Sequence, residues 1–166
     1  MKKKTKIKLA IAFLCCVTLL TFMCVGAKAE TRETWISDDA YSYCYEIGNQ
    51  YNICPELLMA VLEKESSGKS NATNGGCGGL MQVSARWHQE RMLRLGATDL
   101  YCERDNILVA ADYLSELFQK YKEPSLVLDI YNGNSKAMWN YENGVISDYA
   151  GYILDRAREL EILHGK

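Results

Sequence analysis

Several common organising features are missing from this chain of 166 residues. No segment alternates polar and apolar residues with period two, so nothing marks a half-buried strand. No internal repeat or low-complexity run follows the N-terminal segment, which excludes a repeat architecture. Histidine is confined to His88 and His164, and the cysteines form no C-x-x-C pair. That spacing argues against a structural zinc site. Basic residues do not outnumber acidic ones: the formal net charge is −2. Five lysines fall within the first eight residues, so the remainder is more acidic still. An acidic chain lacks the basic face that nucleic acid requires. It also lacks the charge to adhere electrostatically to anionic wall polymers. No cofactor is expected.

What is present begins with a targeting pattern. Lys2, Lys3, Lys4, Lys6 and Lys8 precede an apolar run from Leu9 to Val25, followed by Ala27-Lys28-Ala29. A positive head, an apolar middle and an A-x-A-like site predict a signal peptide over residues 1–29. The run is long for a signal peptide, so an uncleaved membrane anchor is the alternative. In that case the protein meets the membrane only through this segment. Residues 30–37 form a short polar lead, and residues 38–166 amount to one domain. Four cysteines lie in that domain: Cys44, Cys54, Cys77 and Cys102. An even count in an exported protein predicts two disulfides with three possible connectivities. Zinc ligation and free thiols are the other readings.

The domain reads as helices throughout. Ala40, Tyr43, Cys44, Ile47 and Tyr51 repeat at helical spacing behind Ser37 or Asp38 as a cap. Pro55 suits a first helical position and Gly68 an exit. Ser70 to Gly79 is a glycine-rich loop. Ser84 caps a helix that Gly96 closes, and Asp105 caps a long helix to about Tyr121. Shorter helices span Pro124 to Tyr131 and Lys136 to Tyr141. The last runs from Ser147 to about Leu163. The fold class is mainly α, a single compact helical domain.

The chemistry concentrates between Cys54 and Gln82. Leu58, Val61, Leu62 and Glu65 fall at i, i+3, i+4 and i+7, one face of a helix. Glu65 is thus a carboxylate in an apolar stripe, while Glu63 and Lys64 fall on other faces, free to stay solvated. By spacing alone, a stripe-edge carboxylate that reaches water is the plainer reading. A buried one loses hydration when ionised, so its pKa rises. A protonated carboxyl at neutral pH is what cleavage of a glycosidic bond needs as its acid.

Glu65-Ser66, Asn71-Ala72-Thr73 and Gly76-Cys77-Gly78-Gly79-Leu80-Met81-Gln82 together resemble the signature of soluble lytic transglycosylases. Asn106-Ile107 with Tyr113-Leu114, Ile130-Tyr131-Asn132-Gly133 and Tyr152-Ile153 resemble the family's downstream blocks, in order. The resemblance covers about Asp38 to Leu163. It implies a lysozyme-like fold with a substrate cleft, and peptidoglycan glycan strands as partner. The bond cut is the β-1,4 link from N-acetylmuramic acid to N-acetylglucosamine. Glu65 is then the single acid and base, and the products are 1,6-anhydro ends. Ser66, Thr73, Met81, Gln82, Tyr131, Asn132 and Tyr152 are the substrate-side residues it implies. Among them Tyr152 would hydrogen-bond Glu65, and Met81 and Gln82 would line the groove. Action in the cell envelope or outside the cell follows, and the family suggests a role beside secretion or conjugation machinery. Asp129 stands where the family carries a small or apolar residue. As a solvated second carboxylate it keeps a muramidase in view. A non-catalytic wall-binding module is the third reading.

Overall fold

The computed structural model describes residues 35–166. The predicted signal peptide and most of the lead lie outside the described residues. Seven helices and one minimal hairpin make up the domain: α1 (Asp38–Tyr51), α2 (Pro55–Ser66), β1 (Thr73–Asn74), β2 (Cys77–Gly78), α3 (Ala85–Leu95), α4 (Glu103–Tyr121), α5 (Pro124–Tyr131), α6 (Ala137–Glu142) and α7 (Asp148–Leu163). The class is mainly α, as the periodicity predicts. Among the described residues, no helix is long and apolar enough to cross a membrane.

The domain is built around α2. Every residue from Pro55 to Glu63 is buried, with Leu58, Met59, Val61 and Leu62 fully so. A helix apolar on nearly all sides belongs inside a protein, not on its surface. It packs against α1 and α7, while α4 lies against α1 and carries α3 and α5. Each of these large side chains contributes roughly 1.5–3 kcal/mol by burial. Truncating Leu58 or Leu62 to alanine would cost about 2–5 kcal/mol, because the packed surroundings could not collapse into the gap. Pro55 opens the helix as expected, but Ser67 rather than Gly68 takes the left-handed cap, at φ 52°. Gly68 is left-handed too (φ +76°), and a Cβ there would lie 2.1 Å from the Trp35 carbonyl oxygen.

Burial of α2 overturns the expectation that Glu63 is solvated. Its carboxylate is 3% exposed and receives Arg156 of α7 at 2.7 Å, with the Trp35 N–H donating at 3.2 Å. Glu56, at the other end of α2, is fully buried. It accepts hydrogen bonds from Lys166 (2.9 Å), His164 Nδ1 (2.8 Å), Tyr45 (3.1 Å) and Cys54 (3.1 Å). Burial opposes ionisation of Glu56, yet the donors from Lys166, His164 and Cys54 hold its carboxyl down to about 2.

The two expected disulfides are absent: Cys44, Cys54, Cys77 and Cys102 are free thiols. Cys44 is enclosed in the core, and desolvation pushes its thiol up to about 12. Cys54 donates to Glu56 and Glu161 instead of pairing. Asp105 does not cap α4, which begins two residues earlier. Its carboxylate accepts the backbone N–H groups of Thr98 (2.7 Å) and Asp99 (3.0 Å), tying down the loop before the helix.

Candidate active site

The glycine-rich segment expected as a loop folds into the hairpin. Thr73 pairs with Gly78 and Asn74 with Cys77, and the turn residues Gly75 and Gly76 both take positive φ (57° and 86°). Left-handed conformations at both turn positions are the type I′ geometry, which fits the twist of two flanking strands. Gly78 and Val83 then exchange backbone hydrogen bonds at 2.9 and 3.0 Å, closing residues 78–83 into a tight loop.

Asn106 of α4 pins this loop from beneath. It is fully buried: its Nδ2 donates to the carbonyls of Gly78 and Leu100, both at 2.8 Å, and its Oδ1 accepts the Met81 N–H at 2.6 Å. Gly79 is needed for this contact. A Cβ on it would fall 2.3 Å from Asn106 Nδ2 and 2.0 Å from the Leu100 carbonyl oxygen, and its φ is +77°. Gln82 holds the loop from the other side at a left-handed φ of 48°. Its amide nitrogen donates to the carbonyls of Gly79 (2.8 Å) and Ala72 (3.2 Å). Non-glycine residues adopt such φ values only when surrounding bonds over-determine them.

Beside the loop runs a cavity of about 500 Å³, bounded by the hairpin, α3, α4 and α5. Cys77, Gln82, Tyr131 and Asn132 line one part of it, and Trp87, His88, Arg91 and Tyr113 another. Glu65, at the end of α2, is adjacent rather than in the lining itself. Its charge raises the pKa of both Cys77 and Tyr131, which places the carboxyl next to that first part. The Tyr131 hydroxyl donates to the Met81 carbonyl at 2.7 Å, joining α5 to the loop across the groove.

Glu65 itself is half-buried, and its carboxylate accepts a hydrogen bond from the Tyr149 hydroxyl. Desolvation raises its pKa above the ordinary carboxylate value; the Tyr149 bond and the Lys64 charge act in the opposite sense but do not cancel it. Tyr149 has its own pKa pushed far up, by burial and then by Glu65, so it remains a neutral hydroxyl donor. Two carboxylates two residues apart on α2 therefore differ in their partners: Glu63 faces an arginine and Glu65 a phenol.

The implied site residues divide accordingly. Gln82, Tyr131 and Asn132 meet at the cavity near Glu65. Met81 does not line it: the side chain is fully buried in the core, and only its backbone serves the groove. Ser66 is buried and turns its hydroxyl onto the Leu62 carbonyl of its own helix at 3.1 Å. Thr73 is exposed and lines a separate cavity of about 300 Å³ with Leu100 and Tyr101. Tyr152 is exposed, with the Lys64 ammonium 4.5 Å from its ring centroid; Tyr149, one helical turn earlier, meets Glu65 instead. Asp129 is not solvated. It is buried and accepts hydrogen bonds from Asn140 (2.9 Å) and from Ser147, the N-cap of α7. Motif reading quoted Asn106 without giving it a role, and passed over Tyr149. Tyr149 had a signal, since it shares the stripe of Ile153, Arg156 and Leu160 on α7.

Known proteins resemble this chain in sequence. The family model of the transglycosylase SLT domain matches residues 42–147, a span that holds Glu65, the hairpin, Asn106 and Tyr131. A transglycosylase of Enterobacteria phage PRD1 is 30% identical over 118 residues, which are 70% of this chain and 41% of the phage protein. The chain thus spans less than half the length of that relative. With most of the domain inside the matched span, the chain belongs to the transglycosylase SLT domain family.

Proposed function

We propose that this protein is an exported peptidoglycan lytic transglycosylase with Glu65 as its single acid and base. The observation that carries this reading is the state of Glu65: half-buried beside the groove, with a raised pKa and a neutral phenol as hydrogen-bond donor. A carboxyl in that state holds its proton to a higher pH than a solvated one, as a general acid must.

Glu65 would first give its proton to the glycosidic oxygen as the bond from the muramyl anomeric carbon to that oxygen breaks. The resulting carboxylate would then take the proton of the muramyl 6-hydroxyl while that oxygen bonds to the anomeric carbon. The proton returns to Glu65 and the muramyl end closes as a 1,6-anhydro ring. No water is consumed, so no second carboxylate is required to activate one. The muramidase alternative had Asp129 as its second carboxylate. Its engagement by Asn140 and Ser147 weighs against that role.

Gln82, Tyr131 and Asn132 would bound the substrate groove, and Tyr149 would orient the acid. The lysine-rich apolar N-terminus and the wall substrate both support action outside the cytoplasm. Opening the wall beside secretion or conjugation machinery is the role that the family suggests. Mass spectrometry of products released from purified peptidoglycan tests the reaction: muropeptides one water lighter than hydrolysed ones are expected, without reducing muramyl ends. Glu65→Gln should keep the fold and lose at least about a hundredfold in rate, the lower range for a general acid. Reducing products from the wild type, or full activity in Glu65→Gln, would refute the mechanism.

A further inference from the structure

Asp129, a carboxylate where the family carries a small or apolar residue, takes no part in the proposed chemistry, yet only 2% of it is exposed. Taking a carboxylate out of water is costly, and one persists inside a protein only where other groups bind it. Both side-chain donors to Asp129 come from outside its own helix. Asn140 of α6 donates at 2.9 Å, and Ser147, just before α7, donates its hydroxyl. The Asp129 carbonyl also accepts the Asn134 N–H at 2.9 Å, in the turn between α5 and α6. One residue thus ties α5, α6 and the start of α7 together.

The tie to Ser147 sets where α7 begins. Ser147 is the N-cap, and its hydroxyl oxygen accepts the Ala150 N–H at 3.1 Å. A cap hydroxyl has one proton to place, and here the proton goes to Asp129. With both sides of the hydroxyl engaged, the cap is not free to rotate off the helix. The Asp129 charge also lies near the helix N-terminus, where the aligned peptide dipoles favour it. The first turn of a helix has N–H groups with no partner inside the helix, and capping is what holds it. Tyr149 is the second residue of that turn, and its hydroxyl donates to Glu65. Tyr152, one turn further on, is exposed. The placement of the first turn therefore decides whether the acid keeps its phenol.

We propose that Asp129 is a positioning residue: by fixing the Ser147 cap it holds the first turn of α7 where the Tyr149 hydroxyl reaches Glu65. This rests on the reading of Glu65 as the acid, and adds a residue that acts on Glu65 through two others without touching substrate. The other groups that face Glu65 are Lys64 on its own helix, Cys77 on β2 and Tyr131 on α5. The variants below leave all three in place.

The test is the titration of Glu65 itself, followed by carbon NMR of the full chain labelled at its glutamate carboxyls. The Glu65 signal is assigned by its absence in Glu65→Gln. Two roles for Asp129 predict opposite signs. If it holds Tyr149 in place, Asp129→Ala frees the phenol, the carboxylate loses a donor, and the Glu65 midpoint moves to higher pH, as in Tyr149→Phe. If it acts only as a nearby negative charge, its removal eases ionisation and the midpoint moves to lower pH. A loss of stability alone leaves the midpoint where it is. Asp129→Asn keeps an acceptor for Ser147, and the Asn140 amide can turn its oxygen to the new NH2, so the midpoint should stay at the wild-type value. In a Tyr149→Phe background Asp129→Ala should add no further shift, because the bond it supports is already gone. Ser147→Ala cuts the same tie by a milder change; it should also raise the midpoint, and it serves if Asp129→Ala fails to fold. A midpoint that stays or falls in whichever of these two variants is folded overturns the proposal. So does an Asp129→Asn variant that shifts as far as Asp129→Ala, or an undiminished shift in the Tyr149→Phe background. Wall cleavage by the unmutated protein and by Glu65→Gln is measured in parallel. Cleavage that needs Glu65, with a midpoint indifferent to Asp129, removes the positioning role and keeps the lytic reading. A midpoint that depends on Asp129, without wall cleavage, keeps the positioning role and removes the lytic reading.

Discussion

Replacing Asn106 with alanine would remove three hydrogen bonds at once and leave two backbone groups without that partner. The Leu100 carbonyl and the Met81 N–H lose the amide, while the Gly78 carbonyl keeps the Val83 N–H. Each orphaned buried group costs about 1–3 kcal/mol. Local relaxation and water entry into the space left by the amide recover part of that, so the net loss is about 2–4 kcal/mol. A domain of this size typically has only about 5–15 kcal/mol of stability to lose. With a urea slope of about 2 kcal/mol/M, the unfolding midpoint should drop by roughly 1–2 M. Urea unfolding followed by far-UV circular dichroism reads this directly, and hydrogen exchange at the Met81 amide reads the same loss locally. A midpoint within about 0.5 M of wild type would refute the reasoning, because it would mean that the loop holds itself and Asn106 merely fills space. Wall cleavage should fall in the same variant at temperatures where it is still folded, since Met81 and Tyr131 join across the groove through this loop.

Tyr149→Phe removes the donor that favours ionised Glu65, so the Glu65 pKa should rise further. A general acid that keeps its proton longer moves the alkaline limb of the pH–rate profile for wall cleavage to higher pH, with a lower plateau because the carboxyl is less well oriented. An unmoved limb would assign Tyr149 to packing alone. Glu56 gives a stability prediction with the opposite sign. Its carboxyl sits at about 2 in the folded protein against 4.5 for the free group, so the unfolded chain binds the extra proton between those values. Its contribution is complete above about pH 4.5 and is lost as the pH falls towards about 2. Urea midpoints taken across that window should fall with pH in wild type and fall less steeply in Glu56→Gln; parallel curves would disprove the linkage.

The parts of this molecule legible in the sequence are those set by local rules. Helix starts at Ser37, Pro55 and Pro124 and the exit at Gly96 follow from capping and proline chemistry, and each is found where that chemistry predicts. Glu65 was legible because the Glu65-Ser66 pair and the glycine-rich motif after it coincide with its place on the stripe of Leu58, Val61 and Leu62; spacing alone favours a carboxylate that reaches water. What was not legible depends on three-dimensional partners. Glu63 reads as a solvated charge until Arg156, 93 positions later, is brought against it. Tyr149 and Tyr152 both lie on α7 close to α2, and only the packing angle of the two helices decides which hydroxyl meets Glu65. Met81 reads as a groove residue because its neighbours are; the sharp loop after Gly79 turns its side chain inward and leaves its carbonyl for Tyr131. The hairpin was read as loop because two-residue strands leave no alternation to detect.

The two ends of α2 titrate on opposite sides of the ordinary carboxylate value, Glu56 near 2 and Glu65 above 4.5. Acidification therefore reaches the groove before it reaches the fold. As the surroundings turn acid, Glu65 takes up its proton while Glu56 is still ionised and still held by Lys166 and His164. Between those two events lies an interval of pH in which the acid is loaded and the helix that presents it is fully anchored. A single buried helix thus separates the condition for doing work from the condition for falling apart.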